Sequence, residues 1–184
     1  MARLQNKYVG SGFFGVGILN SANDFNVGTL WRSAYVLGAS FLFTVTRKYE
    51  PQSSDVTHAW TKVPLYHYAS VGDLKDHLPH STPLIGVELA EGAVPLTGFE
   101  HPLRAVYLLG NEKRGLDAHH LEACARVVSL PGTFSLNVAV AGSIVMYDRV
   151  AKLRPAARRE FCDSMHINGA INWRYAAIKI FLTL

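Results

Sequence analysis

The stretch that decides the fold is residues 127–147, Val-Val-Ser-Leu-Pro-Gly-Thr-Phe-Ser-Leu-Asn-Val-Ala-Val-Ala-Gly-Ser-Ile-Val-Met-Tyr. Its first residues belong to a short apolar strand, predicted over residues 126–130. A Pro-Gly turn ends this strand. A helix is predicted over residues 137–153, and its first half is apolar on nearly every side, as in a buried helix. Ser135 and Asn137 therefore lie where a strand end meets a buried helix, a common position for ligand sites in α/β folds. A second interpretation stays open, in which one of the two merely caps the helix.

The composition is that of a globular protein. Of 184 residues, 49% are hydrophobic and 17% are charged, which excludes a disordered chain and allows one domain with a sizeable core. The net charge of +4 permits a nucleic-acid partner without requiring one. Cys124 and Cys162 do not indicate a disulfide framework, so a reducing compartment is expected. Neither a membrane span nor a signal segment is recognisable, and we expect a cytosolic protein.

Strands and helices alternate along the chain, which predicts an α/β domain with a mostly parallel sheet. The other predicted strands cover residues 13–19, 40–46, 63–69, 83–89 and 104–109, and the other predicted helices cover about 26–37, 71–78 and 117–125. We expect the domain to occupy residues 1–160. The tail, residues 161–184, is apolar without a clear period and predicts no definite element.

Two sequence patterns that are typical of binding sites occur in the chain, but neither has the structural context that such a site needs. Gly10, Gly12 and Gly15 match GxGxxG, but a dinucleotide site needs a strand before this pattern and a helix after it, and here a strand follows. His77 and His80 have HxxH spacing, yet Pro79 breaks the helix and no cysteine or carboxylate cluster accompanies them, so no metal is expected.

The predicted helix 26–37 carries polar residues that could bind a ligand. Its apolar stripe leaves Arg32 outside, and Asn26 is expected to be the N-cap. Gly28 and Thr29 keep the first turn small, so an anion could approach the helix N-terminus. The alternative is an ordinary amphipathic helix with a solvated arginine.

Three further segments carry charged residues that could contact a ligand. The turn at residues 110–116 encloses Glu112, Lys113 and Arg114 between two glycines, although it could also be a plain Gly-rich turn with solvated charges. The loop at residues 47–62 mixes aromatic side chains with cations, which suits RNA but also an ordinary surface loop. The basic end of the last helix, from Arg149 onward, is expected either to meet phosphate or to complement the helix dipole.

Three separated stretches together resemble one family. Asn26-Val-Gly-Thr-Leu-Trp-Arg-Ser-Ala, with Gly38, resembles motif 1 of the SPOUT methyltransferases in their TrmH (SpoU) branch. Residues 109–116 resemble motif 2. Residues 129–132, followed by Ser-Leu-Asn-Val-Ala-Val-Ala at 135–141, resemble motif 3. The resemblance covers about residues 12–154 and not the tail.

The resemblance implies an open α/β sheet with helices on both faces, a C-terminal deep trefoil knot, a homodimer and S-adenosylmethionine as cofactor. It places the cofactor mainly against the backbone of three strand ends, with one side chain closing over the adenine. The residues implied are Val87, Glu88 and Leu89, then Leu109, Gly110 and Asn111, then Val128 and Leu130, with Leu136 and Asn137 beside them.

The same resemblance implies methyl transfer to a ribose 2′-OH of tRNA or rRNA, without a metal. It assigns catalytic positions to Asn26, Arg32, Glu112, Ser135 and Asn137. The family's proposed base is the residue at Arg32, but a guanidinium is too weak an acid to lose its proton readily. We therefore interpret Arg32 as a clamp on phosphate and hydroxyl that favours the alkoxide by its charge.

Two rival functions stay open. One is a SPOUT enzyme that methylates a base nitrogen, and the other is a knotted RNA-binding protein without turnover. The sequence also departs from the family's usual pattern before motif 1, where an RNA-binding domain is expected, and in its C-terminal extension. The RNA substrate is therefore left unassigned.

Overall fold

The computed structural model describes residues 12–50 and 59–153, and the backbone of two short strands beyond them. In chain order the elements are β1 (Phe13–Leu19), α1 (Asp24–Leu37), β2 (Phe41–Val45), β3 (Leu65–Tyr68), α2 (Val71–Asp76), β4 (Leu84–Val87), β5 (Val94–Pro95), β6 (Arg104–Leu109), α3 (Ala118–Glu122), β7 (Arg126–Ser129) and α4 (Val138–Leu153). Two antiparallel strands follow, β8 (His166–Ile167) and β9 (Ala170–Ile171).

The first seven strands form one sheet in the order β3-β2-β1-β6-β4-β7-β5, and each neighbouring pair in it is parallel. This confirms the predicted α/β class. The central strands are almost wholly buried runs of apolar residues, as expected where helices cover both faces of a parallel sheet. The strands β6, β4 and β7 lie side by side, so their carboxyl ends meet at one edge.

The helices divide between the two faces. One core contains the apolar residues of α1 and α4, and the other contains those of α2. Helices α1 and α4 lie side by side and parallel, because Asn26 bonds Asn137 near their starts and Ser33 bonds Ser143 a few residues further along both. A Cβ on Gly142 would lie 2.5 Å from Cδ1 of Leu30. The glycine therefore permits this close approach.

Helix α1 starts earlier than the sequence predicts. Asn23, not Asn26, is the N-cap: its backbone is extended and its Oδ1 accepts a hydrogen bond of 2.9 Å from the N–H of Phe25. The stripe itself is confirmed, since Val27, Leu30 and Trp31 are buried. The correction matters because Asn26, released from capping, lies in the first turn with its side chain free to act elsewhere.

Helix α4 is not buried on all sides of this chain. Its exposed positions Val140, Ile144 and Tyr147 recur at helical spacing and keep 45%, 37% and 64% of their surface accessible. The prediction of an all-round buried helix is therefore wrong for the single chain. An apolar stripe of this kind normally has a packing partner.

The basic end of α4 also differs from the expectation. Arg149 is fully buried, donates to the carbonyls of Pro102 and Leu103 at 2.7 and 2.8 Å, and lies over the ring of Phe14. Lys152 donates to the carbonyl of Phe99 at 3.1 Å. Both side chains hold the segment before β6 against α4, so neither is available to phosphate.

A buried histidine, His101, also lies against this end of α4. His101 contacts the hydroxyl of Tyr107 at 2.6 Å and Asp148 at 2.9 Å. Burial lowers the pKa of His101, although Asp148 opposes the change. Burial raises the pKa of Tyr107 to about 12, against the effect of Arg149.

Some expectations fall on residues outside this description. They include much of the 47–62 loop, Cys162, Arg154 and the tail apart from the backbone of β8 and β9. The knot and the domain boundary at residue 160 therefore stay predictions. Within the described ranges, no helix combines the length and apolar character needed to cross a membrane.

Candidate active site

A pocket opens at the carboxyl ends of β4, β6 and β7, next to the start of α4. The three strand ends contribute Val87, Glu88, Leu89, Leu109, Gly110, Asn111 and Leu130, and the segment before α4 contributes Phe134, Ser135 and Leu136. Eight of the ten residues expected to hold a cofactor therefore line one cavity. The two others are Val128, buried behind the wall with its carbonyl accepting from Glu88 N–H at 3.0 Å, and Asn137, which lies beside the pocket.

The turn after β6 forms one wall and is tightly closed. The Oδ1 of Asn111 accepts from the N–H groups of Lys113 and Arg114 at 2.8 and 2.7 Å, and its carbonyl accepts from Gly115. Gly115 has φ +63°, which a side chain disfavours, and a Cβ on Gly110 would lie 2.2 Å from the carbonyl carbon of Gly115. The two glycines are therefore required by the turn itself.

Glu88 secures this turn from the neighbouring strand. Its Oε2 accepts from the N–H of Leu116 at 2.7 Å and its Oε1 from its neighbour Leu89 at 2.9 Å. The sequence marked Glu88 only through its backbone. The structure gives its carboxylate a separate contact, one that sets the shape of the pocket wall.

Glu112 projects from the turn toward the start of α1. It accepts a hydrogen bond from the N–H of Ala22 at 3.0 Å, one from Nδ2 of Asn26, and a longer one from Ser21 Oγ at 3.4 Å. Burial alone raises the pKa of Glu112, but the hydrogen bonds from the N–H groups of Ala22 and Glu112 itself, and from Asn26 and Ser21, outweigh it and lower the pKa. Glu112 is therefore held as a carboxylate.

Asn137 joins α4 to this cluster. Its Oδ1 accepts from the N–H groups of Ala139 at 2.9 Å and Val140 at 3.3 Å, so it caps α4. Its Nδ2 donates to Oδ1 of Asn26 at 2.9 Å, and Nδ2 of Asn26 donates in turn to Glu112. The capping role and the site role, which the sequence left as alternatives, are thus filled by opposite ends of one amide.

The chain of bonds has a fixed direction. Because the cap makes Oδ1 of Asn137 the acceptor, its NH₂ must be the donor to Asn26. Asn26 must then offer its own NH₂ to the carboxylate. The backbone of α4 thereby sets the orientation of two amides and, through them, one side of Glu112.

Arg32 and Ser135 occupy different positions relative to this cluster. Ser135 is exposed and lines the pocket, whereas Arg32 is exposed and does not. Arg32 follows Asn26 by six residues, which places it roughly 9 Å further along α1 and about 240° around it. The pocket of this chain is therefore not completed by its own Arg32.

Sequence reasoning missed three contributors to this site: Ser21, Ala22 and Arg47. Ser21 and Ala22 form the turn after β1 that contacts Glu112, and Arg47 follows β2 and donates to the carbonyl of Ser21 at 2.7 Å. Their positions in the chain could have identified them, because each follows the carboxyl end of a parallel strand inside the sheet. Among the residues that the structure describes, no group of three or more His, Cys, Asp or Glu could hold a metal ion.

The comparisons with known proteins agree on the family. The sequence matches the SpoU rRNA Methylase family over residues 15–147, and the chain belongs to that family. This confirms the resemblance drawn from the three motifs. No significant match was found among the curated proteins.

Solved structures share the fold. The SpoU methyltransferase AviRb from Streptomyces viridochromogenes, determined with AdoMet, is 26% identical with a TM-score of 0.68, and the match covers 76% of this chain and 57% of AviRb. A structure described as giving insights into 2-OH methylation of C/U34 on tRNA is 24% identical with a TM-score of 0.67, covering 78% and 98%. The A. aeolicus TrmH/SpoU tRNA modifying enzyme is 19% identical with a TM-score of 0.67, covering 76% and 74%. The chain thus spans little more than half the length of AviRb.

Proposed function

We propose that this protein transfers a methyl group from S-adenosylmethionine to a ribose 2′-OH of tRNA or rRNA. The observation that carries the proposal is the bonded series Asn137–Asn26–Glu112 at the side of a pocket built from three strand ends. Family membership and the AdoMet-bound structure of AviRb support the methyl donor. The ribose, rather than a base, is favoured by the residue set Asn26, Arg32, Glu112, Ser135 and Asn137.

The pocket suits this donor chemically. Leu109, Leu130 and Leu136 offer apolar walls to an adenine ring, and the carboxylates of Glu88 and Glu112 lie where a cationic group would be favoured. When bound, the cofactor supplies an electrophilic methyl group on a positively charged sulfur. The backbone of the strand ends would hold it, with Leu136 covering the ring.

The chain's own residues would prepare the hydroxyl. A ribose 2′-OH is a weak nucleophile that must be oriented and partly deprotonated. Glu112, held ionised by its four donors, would accept the hydrogen bond of the hydroxyl or orient its ribose, and Asn26 would fix that carboxylate. Arg32 would bind the adjacent phosphate and stabilise negative charge on the oxygen.

A homodimer would explain where Arg32 acts. Arg32 lies on the same exposed face of α1 as Phe25 and Val36, beside the apolar stripe of α4. A second copy covering this face would bury the stripe and bring Arg32 toward the partner's pocket. Light scattering at micromolar concentration tests this, and a monomer would contradict it.

The substrate can be identified directly. Ribose-methylation mapping of total RNA from cells with and without the gene should show one position that loses its mark. Loss of base methylation alone would support the rival base methyltransferase. Cofactor binding by calorimetry without any lost mark would support the non-catalytic RNA-binding protein. The predicted cytosolic location and the C-terminal knot belong to the same proposal.

A further inference from the structure

We propose that Arg47 is a positioning residue for this active site, which holds the turn between β1 and α1 so that the turn presents its donors to Glu112. The inference rests on the proposed function, because that function gives Glu112 its task. Nothing in the three motifs includes Arg47, which follows β2.

The contacts of Arg47 are those of a two-pronged clamp. Its Nη1 donates to the carbonyl of Ser21 at 2.7 Å, and its Nη2 donates to Oδ2 of Asp24 at 2.8 Å. The two acceptors flank Ala22 and Asn23, so one planar guanidinium fixes both ends of the turn. Asp24 is well shielded, with 12% of its side chain exposed, while Arg47 keeps 40%.

The clamped turn has its other side against Glu112. The N–H of Ala22 donates to Oε2 at 3.0 Å, and the Ser21 hydroxyl shares its single hydrogen between the Asn23 carbonyl at 3.0 Å and Oε1 at 3.4 Å. The peptide between Ser21 and Ala22 thus lies between the two residues, since its carbonyl accepts from Arg47 and its N–H donates to Glu112. Without Arg47 this peptide would be free to rotate or shift, and the bonds from Ala22 and Ser21 that hold the carboxylate would lose their geometry.

Stability alone does not account for this arrangement. A half-exposed ion pair contributes little to the free energy of unfolding, typically about 0–1 kcal/mol. The strained backbone nearby indicates that the turn needs external support, since Asn20 and Thr46 both have positive φ, 47° and 71°. The role of Arg47 is therefore geometric.

The test follows the ionisation of Glu112 by NMR titration of ¹³C-labelled glutamate side chains, with Glu112→Gln to assign the signal. Positioning predicts that Arg47→Ala raises the pKa of Glu112 toward its ordinary value. Arg47→Lys should raise it comparably, because an ammonium keeps the charge but not the fork. Arg104→Ala is the matched control: Arg104 is exposed at the start of β6, donates to the His80 carbonyl at 3.0 Å, and should leave Glu112 unchanged.

The lysine variant separates positioning from simple charge. The other charged groups around Glu112 are Lys113 and Arg114 on its own turn, Glu88 from β4 and Asp24 from α1; α4 offers no titratable side chain before Tyr147. A shift in Arg47→Ala that is absent in Arg47→Lys would mean a charge effect, and would overturn the proposal. Unchanged Glu112 titration in both would overturn it as well.

The same variants can be assayed with S-adenosyl-[methyl-³H]methionine and total RNA from cells lacking the gene. A turn displaced by an ångström should lower the rate by roughly tenfold to a hundredfold, with cofactor affinity nearly unchanged. Should Arg47→Ala fail to fold, Asp24→Glu keeps the charge and the Ser21 contact but displaces the carboxylate that binds Nη2 of Arg47, and a smaller rise of the Glu112 pKa is expected. The titration needs neither cofactor nor RNA, so failure of the wild type to methylate would refute the proposed function alone.

Discussion

Asn137 should make separable contributions to stability and to catalysis, because its two side-chain ends serve different partners. Its Oδ1 caps α4, and its Nδ2 orients Asn26. Replacement by alanine removes both. Replacement by aspartate keeps an oxygen for the cap, with a charge that the helix N-terminus favours, and removes the donor to Asn26.

The magnitudes follow from these contacts. Loss of an N-cap costs about 1 kcal/mol of unfolding free energy, and the exposed hydrogen bond to Asn26 adds at most about another 1 kcal/mol. For a chain of this size, 1 kcal/mol lowers the melting temperature by about 2–4 °C. Asn137→Ala should therefore melt about 2–8 °C below the wild type, and Asn137→Asp within about 2–4 °C of it.

The two variants should differ in stability but be similarly slow in methylation. Without the Asn137 donor, Asn26 is free to rotate its amide, and an aspartate at 137 would attract its NH₂ away from Glu112. Both variants should methylate RNA roughly tenfold to a hundredfold more slowly than the wild type. Melting curves and single-turnover rates on one preparation decide the matter. An Asn137→Asp protein with a normal rate would refute the orienting series, and one as unstable as Asn137→Ala would refute the cap.

Three further outcomes are expected. Arg32→Ala should lower the methylation rate by roughly two or more orders of magnitude while melting temperature and cofactor affinity stay near wild type, and Arg32→Lys should recover little; a normal rate would remove Arg32 from the mechanism. The lowered pKa of Glu112 means that its carboxylate contributes stability above its ordinary pKa of about 4.3, and that this contribution is lost as the pH falls through the lowered value. The stability difference between wild type and Glu112→Gln, measured by urea unfolding, should thus be largest near neutral pH and shrink in acid; a constant difference would contradict the assignment. Gly110→Ala should open the pocket wall, because its Cβ meets the backbone of Gly115, and cofactor affinity should fall more than tenfold, whereas Gly98→Ala, with open space around it, should bind normally; equal affinities in a calorimetric titration would count against the pocket.

The sequence predicted four helices and six of the seven strands of the sheet, because each carries a clear local pattern, whereas the two-residue edge strand β5 lies in a predicted loop. The seven residues of β1 and the five of β6 after Arg104 are apolar runs, and both strands match the predicted bounds. Helix α1 was predicted two residues short because Asn23 and Asn26 are equally good caps by type. Only the extended backbone at Asn23 distinguishes them.

The site was harder to predict where it depends on contacts between distant segments. Glu112 and Asn137 were identified by motif, but their connection through Asn26 required the packing of α1 against α4. Arg149 shows the opposite error, since its place in a basic segment indicated contact with phosphate or a role at the helix dipole. The carbonyls and rings that surround it come from residues more than 40 positions away.

The orienting series also has a consequence for folding. Its two hydrogen bonds join residues 111 and 86 positions apart, and β1 pairs with β6 across most of the domain. Closing such long loops delays folding, because their entropy is lost before the contacts form. Helices can form early, but the three side chains meet only when the central sheet is complete. Recovery of activity after denaturant is removed should therefore lag behind recovery of helical signal.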